Sequence, residues 1–229
     1  MSTINYLTRI EFGEGEIARL PEFLSTLGVR RPLIATDPGL LATGLVDRVK
    51  ALLADAVVFA ETPANPTEEA VIAAHALYTS EGCDGIVGFG GGSSLDLAKG
   101  VRLLTGHEGP LEKYTAVAGG VARIHGEICP MIAVPTTSGT GSEVGRGAVI
   151  ITADGRKLGI ISGFMVPSIA LCDPELTYGL PPVLTAATGM DALSHCLETY
   201  MAPAFNPPAE AIALHGLDAG LGAIEVAMN

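Results

Sequence analysis

The segment that decides the fold reads GIVGFGGGSSLDLAK and occupies residues 85–99. Its first residues are apolar, as in a buried strand, three consecutive glycines follow, and the remainder has the spacing of a helix. Glycines let the backbone approach an anion closely, and the free N–H groups and the dipole of a helix start favour negative charge there. We therefore predict that the turn at residues 90–93 binds the pyrophosphate of a dinucleotide.

Two residues at the start of this predicted helix are candidates for capping it. Ser93 is predicted to cap the helix, with Asp96 three residues later reaching back to the Ser93 amide. The alternative to a ligand site is a plain strand-to-helix turn. Three consecutive glycines cost conformational entropy that such a turn does not require, so the binding interpretation is favoured.

The flanking sequence alternates between short apolar runs and amphipathic stretches. Strands are predicted at residues 32–37, 56–61, 85–91 and 131–137. Helices are predicted at residues 15–27, 40–53 and 67–81, the last capped by Thr67 with Glu68 and Glu69 in its first turn. The alternation predicts an α/β fold in which helices lie on the faces of a parallel sheet.

The pattern changes after residue 137. Three runs at residues 147–153, 158–164 and 169–173 predict strands, with a β-hairpin turn at Asp154 and Gly155. Residues 183–201 and 208–227 predict two helices. We place a domain boundary near residue 179, giving an α/β domain (1–179) and the start of a helical domain (180–229). Two helices are too few to enclose a core, so the chain is interpreted as lacking most of the helical domain.

Composition excludes several classes of partner. The 229 residues carry a formal net charge of −12 and have 48% hydrophobic content, so the chain is globular and offers no basic face to nucleic acid or to anionic membranes. Residues 1–10 lack the pattern of a signal peptide, which indicates a cytoplasmic protein. Cys83, Cys129, Cys172 and Cys196 are scattered, as expected for reduced core residues rather than metal ligands.

A second polar loop and one acidic residue are candidates for further nucleotide contacts. Residues 135–143 carry five hydroxyl groups and two glycines after a predicted strand, although a polar surface loop is the alternative. Asp37 ends the first confident strand, where a carboxylate can accept hydrogen bonds from a ribose and repel a 2′-phosphate. This predicts NAD rather than NADP, while a helix cap or a turn former is the equally weighted alternative.

Asp191 and His195 form a candidate metal-binding pair. Their spacing of four residues in a predicted helix places both on one face, and their side chains suit divalent iron or zinc. A surface hydrogen bond is the alternative for such a pair. The other histidines, His75, His107, His125 and His215, are interpreted as solvated or locally hydrogen-bonded.

Four segments together resemble the iron-containing (group III) alcohol dehydrogenase family. They are residues 65–67, 90–99, 135–143 and 184–195, and the resemblance extends over essentially the whole chain. It implies a Rossmann-like domain, an all-helical domain, and a metal and substrate between the two. The implied nucleotide contacts are Asp37, Asn65, Gly91, Gly92, Ser93, Asp96, Thr136, Thr137, Thr140, Lys157, Leu176 and Gly179. Asp191 and His195 match the family's first two metal ligands.

The sequence departs from the family in one cofactor segment. Gly145, Arg146 and Gly147 stand where the family often has Thr-Arg-Phe-like residues. The resemblance implies an NAD-dependent enzyme that interconverts a small alcohol and an aldehyde or ketone, with iron favoured over zinc and a homo-oligomer expected. The alternatives are a relative of glycerol dehydrogenase or dehydroquinate synthase, and a non-catalytic nucleotide-binding module.

Overall fold

The computed structural model describes residues 8–227, and its main feature is a parallel β-sheet. The described strands are β1 (Ile10–Phe12), β2 (Pro32–Ala35), β3 (Val57–Phe59), β4 (Gly85–Gly90), β5 (Met131–Pro135), β6 (Gly147–Ile151), β7 (Lys157–Ile161) and β8 (Ile169–Cys172). Six of them form one sheet in the order β1-β8-β5-β4-β2-β3, with every neighbouring pair parallel. The predicted α/β fold with a parallel sheet is confirmed.

Helices follow most of the strands of this sheet. They are α1 (Leu20–Thr26), α2 (Pro38–Leu41), α3 (Leu45–Leu52), α4 (Glu68–Ser80), α5 (Gly92–Leu104), α6 (Pro182–Met201) and α7 (Pro207–Ala227). The Thr67 hydroxyl accepts a hydrogen bond from the Ala70 N–H at 3.2 Å, which confirms the predicted cap of α4.

The central strands of the sheet are buried on both faces, and this explains why they are apolar. Leu33 and Ala35 of β2 belong to one core cluster, whereas Ile34 between them belongs to the other. Ile86 and Val87 of β4 alternate in the same way. Strands β2 and β4 must therefore be apolar at consecutive positions, which is typical of central parallel strands.

The later strands separate into two groups. β6 and β7 form an antiparallel hairpin that turns at Asp154 and Gly155, as predicted. β8 instead joins the main sheet between β5 and β1. The sequence analysis missed β1, a strand of three residues whose Ile10 and Phe12 are largely exposed.

Two predicted helices differ in detail from the structure. The helix predicted at residues 15–27 begins as a 3-10 turn, Glu16–Arg19, before α1. The single helix predicted at residues 40–53 is wrong. The chain breaks between α2 and α3 at Gly44, whose φ of 77° lies in the left-handed region that glycine adopts without strain.

Contacts divide the described chain into two units. The larger contains residues 8–136 and 142–176, and therefore the sheet with its helices. The smaller contains residues 137–141 and 177–227. The boundary near residue 179 and the domains 1–179 and 180–229 stay predictions, and the expectation about a signal peptide falls mostly on residues outside the described range.

In the smaller unit, α6 and α7 pack closely through glycines. A Cβ atom added at Gly216 would lie 2.6 Å from the Cys196 sulfur, and one added at Gly220 would lie 2.7 Å from a Leu193 methyl carbon. The two predicted helices are confirmed. Within residues 8–227, no helix combines the length and apolar character that crossing a membrane requires.

His107 is buried in the larger unit, with a hydrogen-bond partner at each ring nitrogen. Its Nδ1 lies 2.9 Å from the Leu103 carbonyl oxygen, and its Nε2 accepts the His125 backbone N–H at 3.1 Å. These two bonds require a neutral ring that is protonated on Nδ1. Desolvation lowers the pKa of His107, the Leu103 bond opposes that change, and His125 and Lys113 add to the lowering.

We expect the His107→Gln variant to flatten the acid limb of the stability curve. Because the pKa of His107 is lower in the folded state, its contribution is present above the unfolded pKa and is lost as pH falls through the folded pKa. The slope of unfolding free energy against pH should decrease by at most about 1.4 kcal/mol per pH unit. Urea unfolding between pH 7.5 and 5 measures this. The exposed His215→Gln is the control, and equal slopes in both variants would contradict the assignment.

Candidate functional site

The glycine turn lies between β4 and α5, at the carboxyl edge of the sheet. Gly90 has a φ of 149°, and a Cβ atom there would lie 2.5 Å from the Ser94 hydroxyl oxygen. Gly91 occupies the N-cap position of α5, and no side chain caps the helix there. Since the first turn of a helix has N–H groups without intrahelical partners, this turn presents backbone donors beside residues 91–93.

The predicted capping of α5 by Ser93 and Asp96 is wrong. The Ser93 hydroxyl donates to the Ala64 carbonyl oxygen instead. The Asp96 carboxylate accepts the Ser142 hydroxyl at 2.7 Å and the Val149 N–H at 2.9 Å. Both side chains therefore connect α5 to segments that are distant in the sequence.

Asp37 follows β2 and lies beside the glycine turn. One oxygen, Oδ1, accepts the Leu40 N–H at 3.1 Å and caps α2. The other, Oδ2, accepts the hydroxyl proton of Ser94 at 3.1 Å. The cap that sequence analysis gave as an alternative is therefore present, and the same carboxylate is adjacent to the predicted pyrophosphate contacts.

Asn65 and Lys157 come together although 92 residues separate them. The Lys157 ammonium donates to the Asn65 side-chain oxygen at 2.9 Å, and both residues are exposed. Asn65 directly follows Ala64, the partner of Ser93. Asn65 and Lys157, both predicted nucleotide contacts, are therefore connected through Ala64 to Ser93 of the glycine turn.

Lys99 is a residue of this region that the sequence analysis did not single out. Its side chain is fully buried, and its ammonium donates to the Ser142 hydroxyl at 2.9 Å and to the carbonyl oxygens of Gly145 and Gly147 at 3.0 and 2.7 Å. Burial lowers the pKa of Lys99 to about 8, although Asp96 acts in the opposite direction. The available signal was its i,i+3 spacing from Asp96.

The segment that departs from the family motif takes part in the Lys99 hydrogen bonds through its backbone. Gly145 and Gly147 supply backbone carbonyl oxygens, so their side chains are not needed for this network. Burial is also the main cause of a raised pKa at Asp96, partly offset by the hydrogen bonds from Ser142 and Val149.

The second polar loop begins directly beside the glycine turn. The Thr136 N–H donates to the Gly90 carbonyl oxygen at 3.0 Å, and Thr136 is 3% exposed. Thr137 and Thr140 are partly exposed and belong to the smaller unit. Within that unit Gly139 approaches α6, since a Cβ atom there would lie 2.5 Å from the Thr188 carbonyl oxygen.

The last two predicted contacts differ in exposure. Leu176 is 2% exposed and packs in a core cluster of the larger unit. Gly179 is exposed in the smaller unit.

Asp191 and His195 lie one turn apart on α6. The His195 Nδ1 and Asp191 Oδ2 atoms are 3.8 Å apart, which is longer than a hydrogen bond, and about half of each side chain is exposed. Oxygen and nitrogen donors on one helix face fit two ligands of a divalent metal. Residues 8–227 contain no cluster of three or more His, Cys, Asp or Glu side chains placed to hold a metal. The pair alone does not form a complete site.

A comparison with protein families assigns this chain. The model of the iron-containing alcohol dehydrogenase family matches residues 8–174, which includes the sheet, the glycine turn and the β6–β7 hairpin. The chain belongs to this family. The resemblance found in its sequence motifs is thereby confirmed.

Relatives of this family member include proteins of known activity. It is 56% identical to the 4-hydroxybutyrate dehydrogenase of Cupriavidus necator, covering 98% of this chain and 59% of that protein. It is 41% identical to alcohol dehydrogenase 4 of Schizosaccharomyces pombe, covering 89% of this chain and 48% of that protein. The chain therefore spans about half to three-fifths of the length of these relatives.

Solved structures of the family show the same fold. A 1,3-propanediol oxidoreductase matches with a TM-score of 0.91 at 34% identity, over 100% of this chain and 62% of its own. The sulfoacetaldehyde reductase of Bifidobacterium kashiwanohense, solved in complex with NAD+, matches with a TM-score of 0.92 at 28% identity, over 100% of this chain and 61% of its own.

Proposed function

We propose that this chain provides the nucleotide-binding part of an NAD-dependent dehydrogenase that interconverts a small alcohol and an aldehyde or ketone. The observation that carries the proposal is the glycine turn at residues 90–93 with the Asp37 carboxylate held beside it through Ser94. The amides of the first turn of α5 bind the pyrophosphate, and Asp37 accepts hydrogen bonds from a ribose hydroxyl. The reductase solved with NAD+ supports this choice of cofactor.

The chemistry of the reaction divides between the cofactor and the chain. A bound nicotinamide would supply the hydride acceptor or donor, and the chain would bind and orient the nucleotide. Asp191 and His195 would supply two ligands to a divalent metal, with iron favoured by the family description. When bound, such a metal polarises the substrate oxygen and eases loss of its proton.

The type of enzyme, its oligomeric state and its cellular location are also part of the proposed function. The names of the relatives favour the alcohol dehydrogenase interpretation over both alternatives. These were a relative of glycerol dehydrogenase or dehydroquinate synthase, and a non-catalytic nucleotide-binding module. We infer a homo-oligomer in the cytoplasm. In keeping with a reducing compartment, none of the four cysteines forms a disulfide.

Titration of the purified chain with NAD and with NADP tests the cofactor assignment. We expect NAD to bind and NADP to bind at least about tenfold more weakly, because the Asp37 carboxylate repels a 2′-phosphate. Isothermal calorimetry measures both affinities. Tighter binding of NADP would refute the role given to Asp37, and binding of neither nucleotide would refute the proposed function.

A further inference from the structure

Ser94 is a buried residue that links two parts of the proposed cofactor site, the glycine turn and the Asp37 loop. It lies in the first turn of α5, is 1% exposed, and donates its hydroxyl proton to Asp37 Oδ2 at 3.1 Å. The two residues are 57 positions apart in sequence. Their hydrogen bond therefore connects the helix of the glycine turn with the loop that carries the ribose-binding acid.

The backbone at Gly90 is shaped around this pair. A Cβ atom at Gly90 would lie 2.5 Å from the Ser94 oxygen and 3.1 Å from Asp37 Oδ2. The absence of a side chain at Gly90 thus leaves the space in which the hydroxyl and the carboxylate meet. The hydrogen bond lies directly against the turn that is predicted to hold the pyrophosphate.

The two oxygens of Asp37 are held from two different elements. Leu40 of α2 donates its N–H to Oδ1, and Ser94 of α5 donates to Oδ2. Because α2 is a single turn of four residues, the Leu40 bond alone leaves the carboxylate on a short element. The Ser94 bond fixes its orientation relative to α5. A carboxylate has about four lone-pair directions, so others remain for ribose hydroxyl groups.

We propose that Ser94 is a positioning residue for nucleotide selectivity. It aims the negative charge of Asp37 at the ribose position defined by the pyrophosphate at the start of α5, so NAD is accepted and the 2′-phosphate of NADP is repelled. The inference rests on the proposed function. It adds that discrimination depends on a hydroxyl that does not touch the nucleotide.

A double-mutant cycle tests the proposal with NAD and NADP as the probes. The dissociation constants of both are measured by calorimetry for the wild-type chain, Ser94→Ala, Asp37→Asn and the double variant. Losing a hydrogen bond to a charged group should lower the ratio of the NADP constant to the NAD constant about tenfold in Ser94→Ala. In the Asp37→Asn background the same change should alter the ratio by less than about twofold, because no charge remains to be aimed.

The outcomes separate this inference from the function on which it rests. If the wild-type chain binds neither nucleotide, both the proposed function and the inference fail. If the wild type prefers NAD and Ser94→Ala weakens both nucleotides equally, the cofactor assignment stands and Ser94 is merely structural. An equal change of the ratio in the two Asp37 backgrounds also overturns the proposal.

Two further variants protect the test against misfolding. Ser94→Cys keeps a weak donor of similar shape and should give an intermediate ratio, whereas a wild-type ratio would count against the proposal. Ser80→Ala, at the exposed end of α4, is the matched control and should leave the ratio unchanged. Circular dichroism of each variant establishes that the fold is retained.

Discussion

Replacing Lys99 with methionine is expected to lower the free energy of unfolding by about 3 kcal/mol, because buried acceptors lose their donor. The Lys99 ammonium is the common donor to Ser142 and to the carbonyl oxygens of Gly145 and Gly147. Methionine has a similar length but offers no proton. The segment that leads into β6 would keep the Asp96 hydrogen bonds to α5 but lose those of Lys99, and Asp96 would lose the nearby positive charge.

Part of this loss is offset by relief of desolvation. Burial lowers the pKa of Lys99 to about 8, which shows that the charged form is penalised in the folded chain. The three acceptors and the Asp96 carboxylate act against this penalty. We expect their loss to dominate, because a buried polar group left without a partner costs about 1–3 kcal/mol.

Urea unfolding of Lys99→Met and of the exposed control Lys50→Met measures the difference. The control should change the unfolding free energy by less than about 0.5 kcal/mol, as is usual for surface substitutions. A loss below about 1 kcal/mol in Lys99→Met would show that water replaces the ammonium at its acceptors and that the network is not a stability determinant.

The sheet could be predicted from sequence because its information is local. β2, β4 and β5 are short apolar runs bounded by turn residues, and burial on both faces requires that pattern. β1 has three residues, two of them largely exposed apolar side chains, so it is too short for a continuous run or an alternation to mark it. Its pairing with β8, some 160 residues later in the chain, decides its structure.

The position of the candidate site could be predicted from sequence, but the hydrogen bonds of its side chains could not. The glycine turn and Asp37 were identified, since both depend on the residues that end neighbouring strands. The capping of α5 was predicted wrongly, because Ser93 and Asp96 bind Ala64 and Ser142, which lie 29 and 46 residues away. Local capping rules do not include such partners.

Lys99 shows the same limit for burial. A lysine in an amphipathic helix is normally exposed, and its sequence neighbours give no sign of the three oxygens that surround its ammonium. Those oxygens come from Ser142 and Gly145 in the loop before β6 and from Gly147, the first residue of β6. Lys99 is buried and hydrogen-bonded because this segment packs against α5, and that tertiary contact cannot be read from the local sequence.

Asp191→Ala and His195→Ala are expected to abolish turnover in the complete protein while leaving nucleotide binding intact. Each variant removes one of two donors on the same face of α6, and both side chains are about half exposed, so the fold should tolerate the change. Losing a direct metal ligand should reduce turnover more than about 100-fold, since even residues behind metal ligands cost 10- to 100-fold. Alcohol-dependent formation of NADH, NAD affinity and bound iron are measured together.

The combination of readouts distinguishes a metal ligand from a structural residue. A ligand variant loses bound iron and turnover but retains the NAD affinity of the wild type, whereas a misfolded variant loses all three. Asp218→Ala, an exposed carboxylate on α7, should retain all three and is the control. Turnover within a factor of about two of the wild type in either variant would exclude that residue from the metal site, because ligand loss has far larger effects. The iron measurement gives an independent check, since a ligand role requires metal content to fall in both variants.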